Sequence, residues 1–303
     1  MRAWAQRTIG AALAVWTWLV GILRSGLSRR GNDAAELVLP RRRWLANVTV
    51  GLAGLAAFFG RTRPARAGRL NDNHHAWAMV IDLDRCSGCG ACTIACRQEN
   101  NVPVLGPEPV NQGARVEWMS LLWHDSEGRR GTPEIMPFSC QHCESAPCTK
   151  VCPVGATYKS PDGITAQIWD RCIGCRYCMA ACPYARRSFN WTEPKWDGDQ
   201  VQMLNPDVGT RPRGVVEKCT FCHHRIQAVH ERAAMNDREP TDDELVHLTA
   251  CASACPARAI SFGDLSNEKS TVSRGTRNPR AFRLLEHLGT RPRVTYLKRD
   301  RRA

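Results

Sequence analysis

Short stretches of alternating apolar and polar residues predict strands in three parts of the chain. Trp77–Leu83 and Ile164–Trp169 each lead into the tripeptide Asp-Arg-Cys, and Arg115–Trp123 alternates in a similar way. Ile226–Met235 instead repeats its apolar residues near helical spacing. Because a period of two predicts a half-buried strand and a period near 3.6 predicts an amphipathic helix, we expect both kinds of element.

The first 67 residues have the pattern of an export leader. Three arginines at 41–43 precede the uncharged run Ala46–Gly60, and Ala65-Arg66-Ala67 offers a small-x-small cleavage site. The segment resembles a twin-arginine signal. Arg41 and Arg42 would be its arginine pair, and Ala65 and Ala67 would be the small residues of its cleavage site. The alternative is a poor membrane anchor, because the run is shorter than the ~20 residues that span a bilayer.

A second uncharged run, Ile9–Leu23, precedes this leader. It is compatible with an additional anchor, an interfacial helix, or translated upstream sequence from a start codon assigned too early. The sequence leaves these three interpretations open.

The net charge of +13 comes from the two ends of the chain. Residues 1–67 hold eleven arginines against two acidic residues, residues 272–303 hold ten basic against two acidic residues, and the middle is slightly acidic. A nucleic-acid-binding protein concentrates basic residues on its folded body, so this class is disfavoured. The basic segment 272–303 is predicted to be a solvated tail, with docking to an acidic partner or to anionic lipid as the alternative.

All sixteen cysteines lie between residues 86 and 255, in four groups that each place a fourth cysteine four positions after the third. Asp-Arg-Cys-x-Gly-Cys at residue 84 recurs at residue 170, and Cys-x3-Cys-Pro-x2-Ala at residue 148 recurs at residue 251. The chain therefore contains an internal duplication. The groups are Cys86, Cys89, Cys92 and Cys96; Cys140, Cys143, Cys148 and Cys152; Cys172, Cys175, Cys178 and Cys182; and Cys219, Cys222, Cys251 and Cys255.

This spacing favours [4Fe–4S] clusters over the other uses of cysteine. A C-x2-C-x2-C loop wraps three corners of a cubane, and in two-cluster ferredoxins the fourth cysteine binds the other cluster. Disulfides at such spacing would form strained short rings, and zinc ribbons pair two distant C-x2-C units. One alternative concerns Cys219-x2-Cys222-His223, which also matches the attachment motif of c-type haem and would strand Cys251 and Cys255.

These motifs resemble the four-cluster iron–sulfur subunits of molybdopterin oxidoreductases of the dimethyl sulfoxide reductase type. The resemblance covers about residues 76–270 and all sixteen cysteines, and it rests on Cys86–Pro103, Cys140–Tyr158, Asp170–Trp191, Val216–Arg225 and Ala250–Leu265. It implies an α+β fold of two bacterial-ferredoxin-like dicluster halves with inserted loops, preceded by the export leader. The implied domains are 1–67, 68–271 and 272–303, with groups 1 and 4 in residues 76–110 and 211–271 and groups 2 and 3 in residues 135–192.

The resemblance also implies which cysteines share a cluster. The implied ligands are Cys86, Cys89, Cys92 and Cys255 for cluster 1; Cys219, Cys222, Cys251 and Cys96 for cluster 2; Cys140, Cys143, Cys148 and Cys182 for cluster 3; and Cys172, Cys175, Cys178 and Cys152 for cluster 4. In such subunits the four clusters form a row in that order, from the catalytic partner to a membrane subunit that handles quinone.

The expected function is relay of single electrons between a membrane quinone/quinol-handling subunit and a molybdopterin catalytic subunit, at the periplasmic face of the cytoplasmic membrane. No motif for catalysis on an organic substrate is present, so we expect no small-molecule substrate and a non-catalytic subunit of an oxidoreductase complex. The alternative is the iron–sulfur component of a molybdenum-free respiratory complex with cytochromes, of a sulfite-reduction-associated or alternative quinol-oxidising type.

Several cations lie within two positions of a cysteine, among them Arg97, Lys150, Arg171, Arg176 and Lys218. A cation close to a cluster favours the reduced, more negative state and raises its potential. A solvated or partner-facing charge is an equally good interpretation of each. The histidines beside ligands, His142, His223 and His224, are interpreted as ordinary loop residues or as residues that contact the ligands.

Overall fold

The computed structural model describes residues 75–107, 110, 114–124 and 134–299. The predicted leader, with Arg41, Arg42, Ala65 and Ala67, lies outside the described residues. All described residues belong to one compact unit. Within them, no helix has the length and apolar character needed to cross a membrane.

The described residues form short strands and mostly short helices, which confirms the α+β prediction. The strands are β1 (Trp77–Asp82), β2 (Met119–His124), β3 (Glu134–Ser139), β4 (Thr157–Lys159), β5 (Thr165–Gln167), β6 (Ser188–Phe189), β7 (Val216–Glu217), β8 (Ile260–Asp264), β9 (Ala281–Phe282) and β10 (Val294–Leu297). The helices are α1 (Ala91–Glu99), α2 (Pro147–Lys150), α3 (Tyr177–Ala180), α4 (His223–Ala234), α5 (Asp242–Val246), α6 (Ala250–Ser253) and α7 (Thr271–Thr276). Single 3-10 turns cover Trp169–Arg171, Gly198–Gln200 and Glu286–Leu288.

Periodicity located four of these elements correctly. The strand predicted over Trp77–Leu83 is β1, and the helix predicted over Ile226–Met235 is α4, which begins at His223. The strand predicted over Ile164–Trp169 is β5, followed by a 3-10 turn. The alternation over Arg115–Trp123 produces a strand only from Met119 onward, as β2.

The core of the unit is a four-stranded sheet in the order β8-β1-β10-β9. β1 is antiparallel to β8 and parallel to β10, so Met79 faces Phe262 on one side and Val294 on the other. The described residues also form three two-stranded sheets, β2-β3, β4-β5 and β6-β7.

The two faces of the central sheet contact different parts of the molecule. Successive side chains on a strand point to opposite faces, and Trp77, Met79 and Ile81 lie in the large core cluster that includes cysteines of the first, second and fourth groups. Val80, on the other face, packs with Val272 of α7 in a separate small cluster. The sheet therefore holds its cysteine loops on one face and is closed by α7 on the other.

The prediction that residues 272–303 form a solvated tail is wrong. Residues Val294–Leu297 form β10, which is buried inside the central sheet between β1 and β9. Tyr296 is fully buried, and Arg280 forms an ion pair with Asp82 of β1 at 2.8 Å. The sequence analysis missed this short apolar strand for two reasons. Charged residues surround it, and its partner strand lies more than 200 residues earlier in the chain.

Candidate iron–sulfur centres

Pairing of β1 with β8 brings the first and fourth cysteine groups together. The end of β1 at Ile81 faces the start of β8 at Ile260. Cys86 follows Ile81 by five residues, and Cys255 precedes Ile260 by five residues. Because antiparallel neighbours start and end at opposite edges, both cysteines emerge at the same edge of the sheet.

The same arrangement is repeated by β4 and β5 in the second and third groups. Gln167, at the end of β5, faces Thr157, at the start of β4. Cys172 follows Gln167 by five residues, and Cys152 precedes Thr157 by five residues. The internal duplication of the sequence therefore corresponds to a duplicated pairing of strands and cysteines in the structure.

Two cavities are lined by the cysteines implied for clusters 1 and 4. One contains Cys86, Cys89, Cys92 and Cys255, together with Gly88, Gly90 and Pro256. The other contains Cys172, Cys175, Cys178 and Cys152, together with Arg176 and Val216. In each cavity, three cysteines come from one group and the fourth comes from the group paired with it.

The cysteines implied for clusters 2 and 3 also come together, and most of them are buried. Cys96 lies among Cys219, Cys222 and Cys251. Burial first, and then repulsion from these three sulfur atoms, raises the pKa of Cys96 well above its ordinary value.

Cys143 is surrounded in the same way by Cys140, Cys148 and Cys182. Burial and these neighbours raise the pKa of Cys143 to about 12, although Thr290 opposes the shift through a hydrogen bond. The structure thus brings together all four sets of four cysteines.

Helices and close sulfur pairs set the order of the four sets. Helix α1 places Cys92 in the first set and Cys96 in the second. Cys219 of the second set interacts electrostatically with Cys140 of the third. Cys148 of the third set interacts in turn with Cys178 of the fourth. The order is therefore first, second, third, fourth.

Only the two end sets reach the surface with an exposed cysteine. Cys89 and Cys175 are the exposed members of the sixteen, all of which lie in the described residues. Ile94 and Tyr177, on the helices that follow these two loops, are 68% and 65% exposed. Exposed apolar side chains therefore lie next to the cysteine loops at both ends of the row.

The loops that hold the cysteines use left-handed backbone conformations. Gly88 and Gly90 have φ of 73° and 79°, and Gly174 has φ of 70°. A side chain at Gly174 would also collide with the backbone oxygen of Gly214, which a Cβ would approach to 2.5 Å. Glycine is required there for conformation and for space.

Several cysteine sulfur atoms accept hydrogen bonds from the surrounding chain. The backbone N–H groups of Ala259 and Val216 point at Cys255 Sγ (3.3 Å) and Cys172 Sγ (3.5 Å). Although burial raises the pKa of Cys152, the N–H groups of the turn after it lower that pKa overall. Such donors stabilise thiolate sulfur and the negative charge of a bound cluster.

The donor sets fit [4Fe–4S] clusters. Each site offers four cysteine sulfur atoms, and the two cavities described above contain no carboxylate or histidine side chain. The haem alternative does not suit the structure, because Cys219 and Cys222 are both buried and lie with Cys96 and Cys251. Haem attachment would take two members of this set and leave the other two without a group.

The cations that flank the cysteines differ in their exposure to solvent. Lys150, Arg171 and Arg176 are exposed, whereas Lys218 is buried. Arg97 is half-buried and donates to the carbonyl oxygens of Pro103 and Val116.

The three histidines differ as well. His142 is fully buried and stacks on Phe221, with ring centroids 3.7 Å apart. His224 contacts Glu99 at 2.6 Å, and His223 lines a separate cavity. His142 lies in a loop, whereas His223 and His224 begin helix α4, so the loop interpretation is wrong for these two. Each set of four cysteines is complete without a histidine.

Two residues that contact cysteine sulfur were missed by the sequence analysis. Asn100 Nδ2 lies 3.6 Å from Cys222 Sγ, and Arg187 Nη2 lies 3.1 Å from Cys148 Sγ. Asn100 could have been found, because it follows Cys96 by four residues and so lies on the same side of α1. No sequence signal distinguishes Arg187 from Arg186.

Comparison with known families agrees with this chemistry. Residues 85–156 and residues 132–213 match family descriptions that both read "4Fe-4S dicluster domain". Two dicluster domains hold four clusters, and the sixteen cysteines supply four ligands to each. The protein therefore binds four [4Fe–4S] clusters in two ferredoxin-like dicluster units.

Several curated proteins are similar over most of their length. The chain is 46% identical over 231 residues to the iron-sulfur cluster-binding subunit of menaquinone reductase from Nitratidesulfovibrio vulgaris, covering 74% of this chain and 89% of that protein. It is 39% identical over 238 residues to a selenate reductase subunit from Mesobacillus selenatarsenatis, covering 74% and 73%. It is 35% identical over 253 residues to the arsenate respiratory reductase iron-sulfur subunit from Shewanella sp., covering 73% and 95%.

Proposed function

The chain belongs to the family of iron–sulfur electron-transfer subunits of molybdopterin oxidoreductases, and we propose that it relays single electrons between a membrane quinone/quinol-handling subunit and a molybdopterin catalytic subunit. A bound [4Fe–4S] cluster supplies the chemistry, which is reversible uptake of one electron. The protein itself makes and breaks no covalent bond in a substrate.

The ligands of the four clusters follow from the four sets of cysteines. Cys86, Cys89, Cys92 and Cys255 hold cluster 1, and Cys219, Cys222, Cys251 and Cys96 hold cluster 2. Cys140, Cys143, Cys148 and Cys182 hold cluster 3, and Cys172, Cys175, Cys178 and Cys152 hold cluster 4. The support is the grouping of these cysteines around shared cavities and in mutual electrostatic contact.

The main observation in support of the relay function is that a ligand at each end of the row of clusters is exposed. Cys89 of cluster 1 and Cys175 of cluster 4 are exposed, whereas the ligands of clusters 2 and 3 are mostly buried. An electron can therefore enter from one partner and leave to another without either partner approaching the interior. Family resemblance assigns the catalytic partner to the cluster 1 end and the membrane partner to the cluster 4 end.

The residues between the two ends exclude water and fix the ligands. Phe221 and His142 stack between the loops of clusters 2 and 3, and both are buried. Helix α1 carries Cys92 and Cys96 of neighbouring clusters, and Cys148 of α2 is followed four residues later by Cys152 of the next cluster. Short, rigid connections of this kind keep neighbouring clusters at constant separation and protect them from solvent.

The cellular location is part of the same proposal. The support is Arg41 and Arg42 before a weakly apolar run that ends at Ala65-Arg66-Ala67. Export by the twin-arginine route would place the protein at the periplasmic face of the cytoplasmic membrane. Replacing Arg41 and Arg42 by Lys should leave cluster-loaded protein in the cytoplasm, whereas normal export of this variant would contradict the proposal.

The relay function is tested by what the protein carries and what it binds. Anaerobically purified protein should contain iron and acid-labile sulfide that each correspond to four clusters of the cubane type, and no covalent haem. A tagged chain isolated from membranes should bring with it a molybdenum-containing subunit and an integral membrane subunit. A complex with cytochromes and no molybdenum would contradict the assignment, and so would half the expected iron.

A further inference from the structure

Lys218 is a buried cation in the middle of the row of cysteine sets. It lies directly before Cys219 and is 1% exposed. The other lysine beside a ligand, Lys150 between Cys148 and Cys152, is exposed. Because a charge is strongly destabilised in a dry interior unless an opposite charge compensates it, the position of Lys218 requires an explanation.

No carboxylate in the described part of the chain compensates the charge of Lys218. Among the described residues, no carboxylate oxygen forms a salt bridge to its ammonium group within 4.0 Å. The neighbouring Glu217 is paired instead with Arg211 at 2.8 Å and accepts a hydrogen bond from Trp118. Within the part of the chain that the structure describes, the Lys218 ammonium group donates only to the carbonyl oxygen of Cys219, at 2.7 Å.

The cysteine ligands are a source of negative charge close to Lys218. Lys218 acts electrostatically on Cys219, and Cys219 in turn interacts with Cys140. Lys218 also acts on His142, which lies between Cys140 and Cys143. The cation therefore lies at the boundary between the ligands of clusters 2 and 3.

Water has little access to this boundary. His142 and Phe221, which stack there, are 0% and 1% exposed. At the ends of the row, exposed Cys89 and Cys175 let solvent stabilise the negative charge that reduction adds. Clusters 2 and 3 lack this solvation, and reduction of a buried anionic group is unfavourable without a compensating charge. At cluster 3 the buried Arg187 supplies part of that charge through its contact with Cys148, whereas cluster 2 depends more on Lys218.

We propose that Lys218 replaces this missing solvation and raises the reduction potentials of the two inner clusters, most strongly that of the cluster held by Cys219. The inference rests on the ligand assignment proposed above. Lys218 is a positioning and electrostatic residue that is not itself a ligand. Its charge makes the interior of the row accessible to an electron that arrives from either end.

The test is a redox titration of the anaerobic full-length protein, followed by EPR, for wild type and Lys218→Met. The Met variant should retain four clusters by iron and sulfide content. The EPR signal of cluster 2, which Cys219 binds, should titrate at a lower potential than in the wild type. The signal of cluster 3 should shift less, in the same direction. The potentials of clusters 1 and 4 should be unchanged. Lys218→Arg, which keeps the charge, should remain close to wild type.

Two controls separate the charge from other effects. Lys150→Met removes an exposed charge beside two ligands and should leave all four potentials unchanged. Lys218→Gln keeps a donor for the Cys219 carbonyl, so a shift equal to that of the Met variant assigns the effect to charge. A loosened structure would admit water and shift the potential upward, which is the opposite sign.

The proposal is overturned if both neutral variants keep the wild-type potentials or shift them upward. Loss of the Cys219 cluster from both neutral variants but not from Lys218→Arg would also overturn it, in favour of a role in assembly. Failure of the relay function itself is recognised separately, because wild-type protein would then contain fewer than four clusters or co-purify without a molybdenum-containing subunit.

Discussion

The side-chain amide of Asn100 donates to the sulfur atom of Cys222 at 3.6 Å, across 122 residues of sequence. The same nitrogen lies 3.9 Å from Cys96 Sγ and 3.0 Å from the Cys96 carbonyl oxygen. Asn100 is 1% exposed. One amide at the end of α1 thus joins two ligands of cluster 2 that come from different cysteine groups.

Replacing Asn100 by Leu should lower the potential of cluster 2. A hydrogen bond to a ligand sulfur favours the reduced, more negative state. Since a net hydrogen bond contributes about 0.5–1.5 kcal/mol, we expect a decrease of roughly 20–60 mV for this one-electron couple. An EPR-monitored redox titration measures it. Gln98→Leu, an exposed change on the same helix, should have no effect, and equal shifts in both variants would contradict the prediction.

Serine substitution tests the crossed ligation between cysteine groups. Cys255→Ser should change the same EPR signals as Cys86→Ser, because both residues line one cavity. Cys96→Ser should instead change the same signals as Cys219→Ser, because Cys96 lies among Cys219, Cys222 and Cys251. If Cys255→Ser reproduced the spectrum of Cys219→Ser, each group would hold its own cluster and the assignment would be wrong.

The chemistry of the cluster sites could be predicted from the sequence more completely than the packing of the chain could. Cysteine spacing is local, so it identified four cluster sites and the duplication that β1-β8 and β4-β5 repeat in space. Burial is not local. Nothing beside Lys218 distinguishes it from Lys150, because its environment is made by His142 and Phe221 from separate loops. The parallel partner of β1 was missed for the same reason.

The ion pair between His75 and Asp264 should make stability depend on pH. Their side chains meet at 2.6 Å. The hydrogen bond to Asp264 raises the pKa of His75, against the opposing effect of burial. A raised histidine pKa gives stabilisation that is fully present below the unfolded value of 6.5 and is lost as pH rises through the folded value.

His75→Gln should therefore destabilise the protein more in acid than in base. We expect a loss of roughly 0.5–1 kcal/mol at about pH 5.5, allowing for solvent screening of this partly exposed pair, and a smaller loss at about pH 9. Thermal unfolding under anaerobic conditions, followed by circular dichroism, measures the difference. His287→Gln, at an exposed histidine, is the control, and an equal loss at both pH values would contradict the prediction.

Residues 290–297 support the ligands of cluster 3 as well as the central sheet. Thr290 and Arg291 accept backbone hydrogen bonds from Ser145 (3.0 Å) and Glu144 (2.9 Å), directly after Cys143. Thr290 also hydrogen-bonds to the thiol of Cys143. Tyr296, in β10, donates to the Pro137 carbonyl oxygen at 3.2 Å, just before Cys140. This C-terminal segment therefore holds the loop of the second cysteine group from both sides.

Ending the chain after Gly289 should consequently abolish cluster 3 and destabilise the sheet, whereas ending it after Arg299 should preserve both. The shorter chain removes β10, which is buried between β1 and β9, and exposes their backbone groups. Tyr296→Phe, which removes only the hydroxyl, should cost about 1–3 kcal/mol without loss of a cluster. Iron content and thermal unfolding distinguish these cases. If the chain ending after Gly289 kept four clusters and wild-type stability, residues 290–299 would be dispensable and the role assigned to β10 would be wrong.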